Sequence, residues 1–198
     1  MEERPAVFLD RDGTITVERG HITAPDQLEL IEGAGEAIDA LRETGFLVVV
    51  VSNQSGVARG LMSEDDLDAV HRRLEDLLAR RGASLDGAYY CPNYAGGTVE
   101  RFTRDTSCRK PETGMIDAAV RDLGIDLATS FLVGDQASDI EAANRAGVAA
   151  ILVRSGKGGF TSERAAELGL EVAHEAPDLA AAARWIVDET ARGRGDVS

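Results

Sequence analysis

Two acidic residues separated by a single position follow the first apolar run of the chain. Residues 8–14 read Phe-Leu-Asp-Arg-Asp-Gly-Thr, which places Asp10 and Asp12 directly after a candidate strand. Both carboxylates can therefore approach one cation, and Gly13 allows the chain to turn sharply away. Mg²⁺ favours carboxylate oxygens together with the phosphate oxygens of a substrate. The segment predicts a magnesium site that acts on phosphate, although Asp-x-Asp-Gly taken alone is equally typical of a turn.

A second apolar run ends in small side chains that can form hydrogen bonds. These are Ser52, Asn53, Gln54 and Ser55. Such groups can hold phosphate oxygens without adding bulk, although the same residue types are typical of ordinary loops. Their position after a candidate strand makes them candidates for the same site as Asp10.

A third apolar run is followed by further acids. Asp135 and Gln136 come directly after it, and Asp139 falls on the first turn of the next candidate helix. Asp135 can reach the edge of the sheet, whereas Asp139 or Ser138 could equally cap the helix. The segment therefore adds a carboxylate to the predicted cation site.

Lys110 is a further candidate for contact with phosphate. The chain has only two lysines, Lys110 and Lys157, against nineteen arginines. A lysine in such a chain suggests a need for a compact point charge, although composition alone could also explain it.

Apolar, β-branched runs of strand length predict the elements that position these residues. The predicted strands are Ala6–Leu9, Phe46–Val51, Phe131–Val133 and Ala149–Val153, with a weaker one at Gly87–Tyr90. The second is apolar at every position, as in a strand of a parallel sheet that is covered on both faces.

Segments with helical periodicity lie between the predicted strands. They are Gly35–Glu43, Ser63–Arg81, Gly114–Leu123, Ser138–Ala146 and Ala176–Glu189. The alternation of strands and helices predicts a doubly wound α/β fold with a parallel sheet. In such sheets ligands bind beyond the carboxyl ends of the strands, where the candidate residues fall.

The length and net charge of the chain limit the classes of protein to which it can belong. Its 198 residues predict one domain at 1–191, followed by a Gly-rich, charged tail at 192–198 that should fray. A net charge of −14 argues against nucleic acid as a partner. No apolar stretch approaches the roughly 18 residues of a membrane span, and residues 1–5 do not resemble a secretory signal. We expect a cytoplasmic monomer without a membrane partner.

Together these segments resemble the haloacid dehalogenase (HAD) superfamily of phosphotransferases, from Asp10 to about Gly158. The four motifs of that superfamily correspond to residues 10–14, Ser52, Lys110, and Asp135 with Asp139. Three further segments are similar to the D,D-heptose 1,7-bisphosphate phosphatases, whose nearest relatives are the histidinol-phosphate phosphatases. These segments are residues 52–60, 89–92 and 108–111. The resemblance implies a Rossmann-like HAD fold without a separate cap domain.

The resemblance also implies catalytic roles. Asp10 would attack phosphorus and form an aspartyl-phosphate, while Asp12 would act as general acid and then as general base. Ser52 and Lys110 would bind the transferring phosphoryl group. One Mg²⁺ would contact Asp10, the main-chain carbonyl of Asp12, and Asp135. Asp139 would orient Lys110 or a water on the metal.

Several residues would contact the substrate, which the resemblance implies is a small phosphorylated sugar. Glu18, Arg19, Gly20 and His21 would line the sugar site, and Arg109 would recognise phosphate with Asn53 beside it. Gln54, Ser55 and Gln136 complete the predicted substrate-binding set. Gln136 stands where this branch usually has a lysine.

The chain departs from the branch in the specificity loop, residues 91–109. Relatives usually hold zinc there with four ligands, whose positions correspond to Cys91, Asn93, Thr106 and Cys108. Because Asn and Thr are poor zinc ligands, zinc should be absent or weakly bound, although Asp105 could complete a three-ligand site. The two cysteines could be free thiols or a disulfide, and cytosolic conditions disfavour the disulfide.

Three functions remain open from the sequence. The first is removal of the C7 phosphate from a heptose 1,7-bisphosphate. The second is hydrolysis of histidinol phosphate or another small monoester. The third is phosphosugar binding without catalysis, which the complete set of motif residues disfavours.

Overall fold

The centre of the protein is a parallel sheet of six strands. The computed structural model describes residues 3–156 and 159–195, so Lys157 lies outside the described residues. The strands are β1 (Arg4–Leu9), β2 (Leu47–Asn53), β3 (Gly87–Cys91), β4 (Ile125–Gly134), β5 (Ala149–Val153) and β6 (His174–Ala176). Their order is β3-β2-β1-β4-β5-β6, so the chain winds outward from β1 first in one direction and then in the other. This order confirms the predicted doubly wound α/β fold.

Helices connect the strands and cover both faces of the sheet. They are α1 (Ala34–Glu43), α2 (Glu64–Ala79), α3 (Gly114–Leu123), α4 (Ala137–Ala146), α5 (Ser162–Glu167) and α6 (Leu179–Gly195). The acids after Ser63 mark the start of α2. The Ser63 hydroxyl accepts from the Asp66 N–H and the Asp66 carboxylate accepts from the Ser63 N–H, which satisfies two free N–H groups. Among the described residues, no helix is both long and apolar enough to cross a membrane.

The alternation of side chains along β2 divides the core between the two faces of the sheet. Val48 and Val50 belong to the cluster that includes α1, α2 and α6, whereas Val49 and Val51 belong to the cluster that includes α3 and α4. All four are fully buried, as expected for an inner strand of a covered parallel sheet. The register is therefore fixed, because a shift by one residue would exchange the two sets.

The carboxyl ends of β1, β2 and β4 meet at one edge of the sheet. Leu9, which ends β1, pairs with Val50 of β2 and Val133 of β4. The Asp10 N–H then donates to the Val133 carbonyl at 3.0 Å. Because β4 ends at Gly134, the chain delivers Asp135 to the same edge as Asp10.

The segment between β1 and α1 makes a short excursion over this edge. It contains a 3₁₀ helix at Pro25–Gln27 and one antiparallel bridge between Thr16 and Leu30. The excursion is anchored because Ile15 is buried and the Ile31 N–H donates to the Ile15 carbonyl at 2.9 Å.

The structure differs from the sequence prediction mainly after β5. Strand β6 and helix α5 were not predicted, because each is short and neither has a regular apolar pattern. The predicted helix start at Ala176 is wrong, since Ala176 pairs with Val153 in the sheet and α6 begins at Leu179. Helix α6 continues to Gly195, so residues 192–195 of the tail expected to fray are helical, and residues 196–198 lie outside the described residues.

Candidate active site

Lys110 is the centre of a buried ion-pair cluster at the edge of the sheet. Its Nζ lies 2.7 Å from Asp10 Oδ1 and 2.6 Å from Asp139 Oδ1, and it donates to the Val51 carbonyl at 2.6 Å. The Lys110 side chain is 2% exposed and that of Asp139 is 1% exposed. All three hydrogen positions of the ammonium therefore have acceptors, which fixes its place beside Asp10.

Burial and like charges strongly perturb the acids of this cluster. Burial raises the pKa of Asp10 to about 6, although Lys110 opposes this shift. Burial, together with the charges of Asp10 and Asp139, raises the pKa of Asp135 to about 7. Lys110 is held in its charged form, because Asp10 and Asp139 raise its pKa despite the opposing effect of burial. The cluster thus has more negative charge than one lysine can balance.

The excess negative charge fits a cation. Oxygens of Asp10, Asp135 and Asp139 lie within 4.8 Å of one another. Asp135 Oδ1 is buried and has no hydrogen-bond partner among the described residues, although a buried acceptor normally has one. Three carboxylates, one of which has an unsatisfied oxygen, match the preference of Mg²⁺ for hard oxygen ligands. Asp139 belongs to this group, whereas the sequence analysis gave it only an orienting role.

Two glycines allow the backbone to approach Asp135. A Cβ added at Gly156 would lie 1.7 Å from Asp135 Oδ2, and one added at Gly13 would lie 2.8 Å from the same atom. Gly13 also has a φ of +87°, which other residues rarely adopt. The Ser155 hydroxyl donates to the Gly13 carbonyl at 2.7 Å and joins the two segments. A larger residue at either position would displace Asp135 or the backbone.

Asp12 is held by a polar network of its own. The guanidinium of Arg11 donates to both of its oxygens, at 2.9 and 2.7 Å. Gln54 Nε2 donates to it at 2.9 Å and the Thr16 hydroxyl at 3.1 Å. Although burial acts in the opposite direction, Arg11 lowers the pKa of Asp12. The network therefore favours a carboxylate at this position.

The amides of two predicted substrate residues are already engaged. Asn53 Nδ2 donates to the Lys110 carbonyl and Asn53 Oδ1 accepts from the Lys110 N–H, both at 3.0 Å. Gln54 donates to Asp12 and Ser52 and accepts from Arg11. These residues hold other parts of the site in place, and the sequence analysis did not foresee this.

A cavity of about 270 Å³ lies over the cluster. Its walls are formed by Asp10, Asp12, Glu18, Gly20, His21, Ser52, Asn53, Gln54, Ser55, Arg109, Lys110, Gln136, Ser138 and Asp139. All but one of the residues predicted to bind substrate are in this set. The exception is Arg19, which is exposed and pairs with Glu29, so the expectation that it lines the sugar site does not agree with the structure. Ser138 lines the cavity, whereas the sequence suggested only a capping role.

Comparison with known proteins identifies the family to which the chain belongs. A model of HAD-hydrolase-like proteins matches residues 107–182. The chain is 44% identical, over 92% of its length and 95% of the relative, to a Thermosynechococcus vestitus protein named D-glycero-D-manno-heptose-1,7-bisphosphate 7-phosphatase. An Escherichia coli (strain K12) protein named D-glycero-beta-D-manno-heptose-1,7-bisphosphate 7-phosphatase is 46% identical over 77% of this chain and 81% of its own. The chain belongs to this phosphatase family.

A solved structure of a family member agrees with this assignment. The D,D-heptose 1,7-bisphosphate phosphatase from B. bronchiseptica, complexed with magnesium and phosphate, matches with a TM-score of 0.81 and 34% identity. The match covers 93% of this chain and 99% of that one. The predicted resemblance to HAD phosphatases and to the heptose bisphosphate branch is therefore confirmed.

The specificity loop of this family member is closed by a disulfide. Cys91, which ends β3, is bonded to Cys108, two positions before Lys110. The sequence analysis disfavoured this bond, but the chain brings the two residues together with their Cα atoms 5.6 Å apart. Asn93 Nδ2 lies 3.5 Å from Cys108 Sγ, and the Thr106 hydroxyl lies 3.6 Å from it. The four positions that the resemblance associates with zinc are therefore adjacent here.

Sequence reasoning missed several residues that support the site. Arg11 and Thr16 position Asp12, and Gly156 makes room for Asp135. Arg11 and Thr16 flank Asp12 in sequence, but nothing in their types showed that they would turn inward. Gly156 had a usable signal, because it follows β5 at the same edge of the sheet as Asp10.

Proposed function

We propose that the protein is the magnesium-dependent phosphatase that removes the C7 phosphate of D-glycero-D-manno-heptose 1,7-bisphosphate. The observation that carries this proposal is the buried Asp10–Lys110–Asp139 cluster with Asp135 beside it. It lies in a cavity of a chain whose relatives are named for that reaction. The cluster supplies a nucleophile, a fixed positive charge and a cation site within one small space.

The reaction would proceed in two steps on Asp10. An oxygen of Asp10 attacks phosphorus, the bond from phosphorus to the C7 oxygen breaks, and that oxygen takes a proton from Asp12. A water then attacks the aspartyl-phosphate while Asp12 accepts its proton, which releases inorganic phosphate and restores Asp10. Because Arg11 lowers its pKa, Asp12 is a carboxylate in the free site, so the proton that it gives in the first step is one that it must take up with the substrate.

Other residues of the cavity would hold the phosphoryl group and the cation. Lys110 is charged and lies beside Asp10, so its positive charge would stabilise the negative charge on the phosphoryl group that Asp10 receives. Ser52 would donate a hydrogen bond to the same group. Asp10, the main-chain carbonyl of Asp12, and Asp135 would bind Mg²⁺. When bound, Mg²⁺ neutralises charge on the phosphate and on the carboxylates that it approaches.

The substrate's sugar would lie against the excursion after β1. Glu18, Gly20 and His21 line that side of the cavity, and Arg109 lines the side formed by the specificity loop. The carboxylate and the imidazole can form hydrogen bonds to sugar hydroxyls. Residues 1–191 would form one domain that contains this site.

The test is phosphate release in the presence of Mg²⁺ from both anomers of the heptose 1,7-bisphosphate, compared with histidinol phosphate. The control is Asp10→Asn, which keeps the size of the side chain but removes the nucleophile. Fast release from a heptose anomer that the variant lacks supports the proposal. Turnover of histidinol phosphate alone would keep the chemistry and replace the substrate, and binding of the phosphosugar without turnover would overturn the enzymatic proposal.

Four further properties remain predictions from the sequence. They are a cytoplasmic location, a monomeric state, the absence of a nucleic-acid partner and the absence or weakness of zinc binding. Metal analysis of the purified protein and its mass in solution would test the zinc and monomer predictions directly.

A further inference from the structure

Arg11 lies behind Asp12, and its guanidinium is only partly paired. Asp12 lines the cavity, whereas Arg11 is fully buried and is absent from the described residues that line it. Arg11 Nε and Nη2 donate to Asp12, and Nη2 also donates to Gln54 Oε1 at 2.9 Å. Arg11 Nη1 is buried and has no hydrogen-bond partner among the described residues. Because the five N–H groups of a guanidinium share one rigid plane, the tilt of this plane decides how Asp12 is held.

The ring of Tyr90 packs against this guanidinium. The guanidinium carbon of Arg11 lies 5.8 Å from the centre of the ring, within the roughly 6 Å at which an aromatic face attracts a cation. Tyr90 lies on β3 and pairs in register with Ser52 at the end of β2, so the sheet itself brings the ring close to the site. Burial raises the pKa of Tyr90, so its hydroxyl keeps its proton. The ring therefore gives Arg11 a further contact besides Asp12 and Gln54.

His71 of α2 holds the ring of Tyr90 in turn. His71 Nδ1 and the Tyr90 hydroxyl are hydrogen-bonded at 2.9 Å, and the two rings meet edge to face with their centres 5.4 Å apart. The other ring nitrogen of His71, Nε2, lies 3.5 Å from Glu75 Oε1, one turn further along α2. Since the χ2 torsion of an aromatic side chain has broad minima, the hydrogen bond to His71 restricts the tilt of the Tyr90 ring.

These contacts form a continuous chain from the surface of α2 to the cavity. Its members are Glu75, His71, Tyr90, Arg11 and Asp12. The chain cannot pass a proton, because an arginine does not lose its charge in a protein. It can fix a position, and position matters here because a general acid must lie within hydrogen-bond reach of the oxygen that it protonates.

We propose that Tyr90 and His71 are positioning residues, which hold Arg11 in the orientation that directs Asp12 to the leaving oxygen of the substrate. This inference rests on the proposed function, since it requires Asp12 to act as general acid. Tyr90 and His71 do not belong to the described lining of the cavity, so they would act only through Arg11. Their loss should therefore impair proton transfer to the leaving group and leave the attack of Asp10 on phosphorus unchanged.

The test compares two esters that differ in their need for a general acid. The sugar oxygen of heptose 1,7-bisphosphate must be protonated as it leaves, whereas 4-nitrophenyl phosphate releases a stable phenolate that needs no proton. The quantity measured is the ratio of kcat/KM for the sugar ester to kcat/KM for the aryl ester. It covers the steps up to release of the leaving group, so the later role of Asp12 as base does not enter.

Tyr90→Phe removes only the hydroxyl and should lower this ratio about tenfold, a part of the roughly 10²- to 10⁴-fold that general acid catalysis contributes. His71→Leu removes the partner of the same hydroxyl and should lower the ratio to a similar extent. His71→Asn should recover part of the ratio, since its amide can still form a hydrogen bond to Tyr90. If Tyr90→Phe does not fold, the two His71 variants decide, because the His71 side chain is partly exposed.

Tyr89→Phe is the matched control. Tyr89 is the neighbour of Tyr90 on β3 but packs on the other face of the sheet, where its hydroxyl donates to Asp122 at 3.1 Å. This variant also loses one hydroxyl and one hydrogen bond, and its ratio should equal that of the wild type.

Two outcomes would overturn the inference alone. One is an unchanged ratio in Tyr90→Phe, and the other is an equal loss of kcat/KM on both esters, which would show a merely structural role. A wild type that cleaves histidinol phosphate but not the heptose ester would replace the substrate in the proposed function, and histidinol phosphate, also an alkyl ester, would then supply the ratio. A wild type that cleaves none of the three esters would overturn the proposed function and this inference with it.

Discussion

Asn53 holds the main chain of Lys110 through both ends of its amide, with two hydrogen bonds of 3.0 Å. The contact joins the end of β2 to the residue that follows the specificity loop, across 57 residues of sequence. Lys110 in turn places its ammonium between Asp10 and Asp139. The position of Lys110 thus depends on an amide that the sequence had suggested for substrate binding.

Replacing Asn53 with alanine should therefore lower kcat strongly and lower the free energy of unfolding only modestly. Loss of the two hydrogen bonds should cost about 1–2 kcal/mol of unfolding free energy. We expect kcat to fall by roughly 10- to 100-fold, because small displacements of catalytic groups are costly. Steady-state kinetics and chemical denaturation measure the two effects.

The chain offers a matched control for this prediction. Asn144 holds the main chain of Glu171 in the same way, with hydrogen bonds of 2.9 and 2.7 Å far from the cavity. Asn144→Ala should lose a similar amount of stability and keep its kcat. Equal kcat values for the two variants would show that Asn53 has no special effect on Lys110.

Asp135→Asn should make the protein more stable without magnesium at neutral pH. The pKa of Asp135 is raised to about 7 in the folded state, so the folded protein holds a proton that the unfolded chain has already lost. The free energy of unfolding of the wild type should therefore fall as pH rises from about 4 to about 7. The variant should not show this contribution, because it has no carboxyl group at position 135. We expect a gain of roughly 2 kcal/mol above pH 7, after allowing for solvent screening.

Mg²⁺ should reverse the relative stability of the wild type and Asp135→Asn. The proposed Mg²⁺ site exists only in the folded wild type, so Mg²⁺ should raise the unfolding temperature of the wild type and have little effect on Asp135→Asn. Asp68→Asn, at an exposed acid of α2, is the control and should respond to Mg²⁺ as the wild type does. A wild type that is indifferent to Mg²⁺ at pH 8 would contradict the cation site.

Gly156→Ala should impair magnesium binding and activity together. The added methyl group would lie 1.7 Å from Asp135 Oδ2, so either the carboxylate or the segment after β5 must move. We expect at least a tenfold rise in the Mg²⁺ concentration needed for half-maximal rate, which a magnesium titration of phosphate release would measure.

Gly87→Ala is a milder substitution for comparison. Its added Cβ would meet side-chain atoms of Tyr89 and Leu123 at 3.2 and 3.3 Å. These side chains are outside the cavity lining, so the magnesium dependence should not change. If both variants behaved alike, the effect would not be specific to Asp135.

Reduction of the Cys91–Cys108 disulfide should loosen the specificity loop. The bond closes a segment with a sequence separation of 17, and a loop of that size contributes about 3 kcal/mol by restricting the unfolded chain. A dithiol reductant should lower the unfolding temperature and raise KM, because Arg109 directly follows Cys108. The double variant Cys91→Ala, Cys108→Ala should match the reduced protein and no longer respond to reductant.

The sequence predicted those parts of the site that follow directly from a strand. Asp10 and Asp135 each follow a buried strand of a parallel sheet and Ser52 lies at the end of another, so topology places all three at one edge. Motif resemblance added Lys110, which lies in a loop and has no such signal. The sheet and most helices were predictable for the same reason, since β2 and α2 have clear periodicity.

The orientations and partners of side chains within the site could not be predicted in this way. Arg11 turns inward to Asp12, whereas Arg19 turns outward to Glu29, although both are arginines in the same excursion. The difference depends on which partner lies nearby after folding. The disulfide was left as a disfavoured alternative for a related reason, because the proximity of Cys91 and Cys108 follows from how β3 and the loop before α3 pack together.

The cluster around Lys110 also has a consequence for the order of folding. Asp10 and Lys110 are 100 residues apart in sequence, and Gly156 comes later still, so we expect the charged centre to assemble after most of the sheet has formed. Repulsion between the carboxylates therefore disfavours the late assembly of this centre. It does not disfavour the early pairing of strands. Added Mg²⁺ should lower the unfolding rate more than it raises the folding rate, because we expect the contacts that it stabilises to form last.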